Sequence, residues 1–141
     1  MQKLLCLTTM LGLLTVPALA TAATDGARKS GEWEISTTVK GQSTFTSKVC
    51  IDSASDDIAA AAGGSAVQSG CEESSTETGA QGLTIRSVCK QGNSTVTATG
   101  TLSGDLETAY QGVVVKKYSP PLYGRTEVES TVEGRYLGNC P

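Results

Sequence analysis

The chain has 141 residues and a formal net charge of −3, with no histidine. Without histidine a Ser-His-Asp or Cys-His centre is excluded, and the commonest general base and metal ligand are missing. No basic cluster exists, so nucleic acid is not an expected partner.

The opening MQKLLCLTTMLGLLTVPALATAATDG has one positive charge, Lys3, then an apolar run from Leu4 to Val16 and the exit Ala18-Leu19-Ala20. That is the pattern of a secretory signal peptide over residues 1–20, cleaved before Thr21, with Ala20-Thr21-Ala22 as the second choice. The run is shorter than the roughly 20 residues a spanning helix needs. Cys6 lies too early for a lipid-anchor cysteine, so the product is not expected to be a lipoprotein. Removing the signal leaves 121 of the 141 residues, enough for one core.

Residues 21–30 are small and polar and read as a flexible lead-in. GEWEISTTV then alternates, with Trp33, Ile35, Thr37 and Val39 on one parity: a half-buried strand facing the core with Trp33. Lys40-Gly41-Gln42 turns into STFTSKVC, a second strand with Phe45, Ser47 and Val49 on one face. In IDSASDDIAAAAGG, Asp52 or Ser53 caps a helix over residues 53–62, Asp56 and Asp57 favour its first turn, and Gly63-Gly64 ends it.

Strands return with VQSGCEESSTE and GLTIRSVCK, a tight turn at Gly92-Asn93 and STVTATGTL. After a turn at Ser103-Gly104-Asp105, LETAYQGVVVKKY changes parity near Gly112, which predicts a bulge. SPPLYG reads as a proline loop, and RTEVESTVEGRYLGNC as a last strand with Val128 and Val132 inward. The expected fold is mainly β: an antiparallel meander of about seven short strands with one short inserted helix, forming a curved sheet or partly closed barrel within a single domain over residues 31–141. Six aromatic residues beyond the signal are too few for the two girdles of a membrane barrel.

Beyond the signal four cysteines remain, Cys50, Cys71, Cys89 and Cys140. An even number in an exported chain reads as two disulfides, and the absence of a C-x-x-C pair argues against zinc. Cys140, one residue from the end, then staples a terminus that would otherwise fray. Loop entropy does not choose a connectivity, because every pairing totals about 7.5 to 8.3 kcal/mol. We prefer Cys50–Cys71 with Cys89–Cys140; a cross-strand Cys71–Cys89 bridge is the alternative.

Other features carry bland readings. Glu32 and Glu34 flank Trp33 as a sugar platform with an acid pair would, but polar-out alternation explains them as well. Asp52, Asp56 and Asp57 lack the loop pattern of a calcium site. Asn93-Ser94-Thr95 matches the glycosylation pattern inside a hairpin turn. Lys116, Lys117, Tyr118 and Tyr123 form the most aromatic patch, a candidate contact loop. No catalytic residue, metal or cofactor is assigned.

The G-x-W opening (Gly31, Trp33), the "VC" at Cys50, the acidic helix, Cys71, Cys89 and the closing GRYLGNC (Gly134, Gly138, Cys140) together resemble the bacterial periplasmic family catalogued as domain of unknown function 3617. Many members of that family carry a Met- and Pro-rich insertion between the first two strands, where this chain has only VKGQSTF. The resemblance implies export, β architecture and paired cysteines, and no catalytic role. The expectation is a periplasmic, non-catalytic binding or structural module of the cell envelope that is not membrane-spanning after cleavage. Its partner would be an envelope protein, a glycan or an apolar small molecule. The alternatives are a carboxylate-based hydrolase of an envelope glycan and an apolar-ligand carrier. A carrier should show a cavity inside the sheet, a structural module a filled core, and an enzyme two carboxylates converging in a cleft.

Overall fold

Alternating side chains build seven strands in the computed structural model, which describes residues 26–63 and 71–141. They are β1 (Gly31–Val39), β2 (Thr44–Ile51), β3 (Cys71–Gly79), β4 (Gly82–Gln91), β5 (Ser94–Gly104), β6 (Ala109–Leu122) and β7 (Arg125–Gly138), with one helix, α1 (Ile58–Gly63), between β2 and β3. The expected signal peptide and the first residues of the lead-in lie outside the described residues.

Strands β3 to β7 form successive antiparallel hairpins. β7 then pairs with β1, giving one sheet in the order β2-β1-β7-β6-β5-β4-β3. The sheet is not closed into a barrel: β2 and β3 are its free edges. The connection from β2 to β3 starts at one edge and ends at the other, so it must cross the sheet. Its helix packs on β4, β5 and β3, covering one half of that face. On this inner face Trp33, Ile85, Val96, Ala98 and Val114 are almost wholly buried. Phe45, Ser47 and Val49 of β2, expected to share one face, lie together on the inner one, but among the described residues no helix covers them and Phe45 remains 70 % exposed.

The hairpin turns follow local chemistry. Gly92-Asn93 joins β4 to β5, with Gly92 at a φ of 59°. The expected proline loop is shorter than SPPLYG: the prolines extend β6, and Tyr123 (φ 49°) with Gly124 (φ 76°) makes the turn. Positive φ at both centres is the type I′ geometry that suits strand twist. No bulge occurs at Gly112. Pairing runs unbroken through it to Leu102 on one side and Val132 on the other. Glycine stands there because a Cβ would overlap the Thr101 carbonyl of β5.

Helix α1 begins later than expected. Asp57 is the cap, its Oδ1 accepting from Ala60 N at 2.8 Å, while Asp52 closes only a local turn by accepting from Ala54 N. Asp56 does not serve the helix, because its carboxylate is drawn into a tertiary contact described below.

The disulfides are Cys50–Cys140 and Cys71–Cys89, not the preferred Cys50–Cys71 and Cys89–Cys140. Sheet order is the reason. Cys50 on β2 and Cys71 on β3 lie on opposite edges, six interstrand steps of about 4.8 Å apart. Cys71 and Cys89, by contrast, are register partners on adjacent strands. Cys50 and Gly138 both pair with Glu32 of β1, so the tail beyond β7 reaches Cys50 with a Cα–Cα distance of 5.7 Å. The two bridges span 90 and 18 residues. By loop entropy, replacing Cys50 and Cys140 by serine should cost about 4.6 kcal/mol and replacing Cys71 and Cys89 about 3.2 kcal/mol. Urea unfolding of the two double variants measures the difference.

Candidate functional site

Trp33, near the start of β1, is fully buried on the inner face. Its indole N–H donates to the Lys29 carbonyl at 2.8 Å, and its ring lies 5.6 Å from both Tyr110 and Tyr136. Tyr110 needs room, and its register partner Gly134 supplies it: a Cβ there would overlap the tyrosine ring. The tyrosine hydroxyl accepts from Arg28 Nη1 at 3.1 Å. Arg28 in turn clasps Asp56: its backbone N, Nε and Nη2 donate to the two carboxylate oxygens at 2.8, 3.0 and 2.6 Å. Both side chains are about 95 % buried. Burial opposes the guanidinium charge, yet the Asp56 hydrogen bond and the neighbouring Tyr110 outweigh it and hold Arg28 above its ordinary pKa. The end of the expected flexible lead-in, residues 26–30, is thus anchored to the body, with Lys29 N also donating to the Leu106 carbonyl.

This clasp pins the crossover over one end of the sheet and leaves a groove of about 590 Å³ between crossover and strands. Ile35, Val114, Val132, Leu102 and Ile85 form its apolar floor, with Ile51 at the end of β2, and Ile58 and the helix alanines form its roof. That volume is in the range of small-molecule sites. Three acids line it, and each has a partner. Asp56 holds Arg28, Asp57 caps α1 and accepts from Ser74 Oγ, and Asp52 accepts from Ala54 N. Lys116 also lines it. Among the described residues its ammonium has neither an ion pair nor a hydrogen bond, and burial lowers its pKa.

The four residues of the candidate contact loop separate. Lys116 and Tyr118 share the inner face of β6 with Tyr110 and Val114, while Lys117 points outward and pairs with Glu127 at 3.8 Å. Tyr123 stands at the turn, 94 % exposed. Sequence reasoning missed Lys116 as a groove residue because the expected bulge at Gly112 broke the parity linking it to Tyr110. Arg28 offered only a lone charge among small residues as a signal. The sugar-platform reading of Trp33 fails, because the ring is fully buried. Glu34 lies on the outer face, where it and Glu133 border a shallower depression and Glu34 is paired with Arg135 at 2.9 Å. Gly31 adopts a φ of 144° where a Cβ would overlap the Gly138 carbonyl and the Tyr136 ring. Among the described residues no group of three or more His, Cys, Asp or Glu is placed to hold a metal ion.

Asp56→Asn should destabilise the fold by about 3 to 5 kcal/mol, since it strands a buried guanidinium; thermal or urea unfolding reads it. Lys116→Met should stabilise it near neutral pH. The wild-type lysine is charged in both states there, and burial disfavours that charge only in the folded one. As pH rises through the lowered folded pKa towards the ordinary 10.5, the penalty is relieved, so the variant's advantage should shrink with pH in paired unfolding curves.

No curated protein and no solved structure matches the chain. The model of a family described as protein of unknown function (DUF3617) matches residues 28–140, beginning at the arginine of the clasp and ending at the stapled cysteine. A match over that span makes the chain a member of the DUF3617 family.

Proposed function

We propose that this protein is an exported, periplasmic, non-catalytic binding module that holds an apolar small molecule on the inner face of its sheet. The observation that carries the reading is the groove of about 590 Å³ where a purely structural module would have a filled core. Export is supported by the N-terminal signal pattern and by two disulfides, which persist in oxidising compartments. Among the described residues no helix is long and apolar enough to cross a membrane, which is compatible with that location. A non-catalytic role is supported by the absence of histidine and by the commitment of all four of these cysteines to disulfides.

The test is titration with a neutral fluorescent probe, N-phenylnaphthylamine, which brightens in apolar surroundings. Saturable binding by the purified wild-type protein is expected. Val132→Glu, which places a charge on the groove floor, should weaken binding about tenfold or more while the far-UV spectrum stays unchanged. Absence of saturable binding to the wild type would overturn the reading.

A further inference from the structure

The groove is asymmetric. At one end stands Arg28, donating to both Asp56 and Tyr110. Along β6 from Tyr110 the inner face runs through Gly112 and Val114 to Lys116, six residues or roughly 20 Å away. Between the two ends the walls are mostly apolar: Val114 of β6, Val132 of β7 level with Gly112 and Ile35 of β1 level with Tyr110, interrupted by the hydroxyls of Thr37 and Ser130. Lys116 is flanked in register by Ala98 on β5 and Val128 on β7, neither of which can take its proton or balance its charge. Ser130, the nearest hydroxyl by register, is turned to the Val114 carbonyl. The carboxylates of β7 that flank this level, Glu127 and Glu129, are paired on the other face with Lys117 and Lys40. A half-buried cation without a counter-charge among the described residues, set at one end of a mostly apolar channel, is complementary to a ligand with one anionic end and a long apolar remainder. The acids of the crossover, gathered at the opposite end, disfavour the reversed orientation.

We propose that the groove binds a single-chain amphiphile with an anionic head, the head seated on Lys116 Nζ and the chain lying along Val114, Val132 and Ile35 towards the crossover. This rests on the binding reading above and adds the ligand class and its orientation. An anionic head could be the carboxylate of a free fatty acid or the phosphate of a lysophospholipid, and Lys116 recognises the charge common to both.

Displacement of bound N-phenylnaphthylamine tests it, each competitor kept below its micelle concentration. Hexadecanoate, palmitoyl lysophosphatidylglycerol and hexadecanol are compared on the wild type, Lys116→Met and Lys116→Arg. At least one anionic competitor should displace the probe at about tenfold lower concentration than hexadecanol. Whichever anion is stronger names the source of the head. Lys116→Met should still bind the probe but lose the preference, and Lys116→Arg should restore it. Equal displacement by hexadecanol and both anions, or a preference that survives in Lys116→Met, would overturn the inference while leaving the binding reading intact. No probe binding to the wild type would overturn both.

Discussion

The buried pair of Arg28 and Asp56 is the contact on which the arrangement depends. A connection that must travel from β2 at one edge to β3 at the other could lie anywhere on the inner face. Arg28 fixes where it lies, because its guanidinium is itself held by Tyr110, and Tyr110 is seated on Gly134 against Trp33. The charge pair alone is weak grounds for stability, since burying two ions is expensive. What it supplies is position. One lead-in residue, one crossover residue and one sheet residue meet at a single point, and the helix is thereby directed to the β3–β5 half.

The open groove follows from that placement. A helix of six residues covers only part of a seven-stranded sheet. The strands left uncovered keep inward side chains that are apolar in the middle and polar towards the rim: Ile35 and Val132, then Thr37 and Ser47. Cavities cost stability unless something fills them. The two disulfides offset part of that cost from outside the groove: one joins the two strands at the β3 edge, the other ties β2 to the tail across the end of β1.

Much of the fold was legible in the chain. Period-two alternation marked β1, strand-forming composition between turn signals marked others such as β3 and β5, and Gly92-Asn93 announced its hairpin, because these signals are local. The helix start was misplaced because Asp56, a good first-turn acid by local rules, is claimed by an arginine 28 residues earlier. The disulfide pairing was misjudged for a similar reason: which cysteines are neighbours depends on β7 returning to β1, and no local pattern encodes that closure. Of the site, Trp33 was recognised as core, but the groove was not visible. Its floor is assembled from five strands, β1, β4, β5, β6 and β7, each of which reads by itself as an ordinary half-buried strand. Lys116 was singled out as part of a candidate contact loop, but its place in the groove was not visible, because nothing local ties it to Ile35 and Val132 on other strands.

The pairing of the first strand with the last has a consequence for how the chain acquires its shape. β1 has two neighbours, its own hairpin mate β2 and the C-terminal strand β7. A two-stranded hairpin alone is marginal in water. Residues 31–51 therefore have no lasting place to dock until Arg125–Gly138, far along the chain, is in place. The β3–β7 meander can assemble first from neighbouring hairpins, and its β7 edge becomes the template onto which the waiting N-terminal hairpin closes. Closure of the N-terminal hairpin onto the sheet thus depends on the final strand, and a chain truncated before it leaves Trp33 without its β7 neighbour.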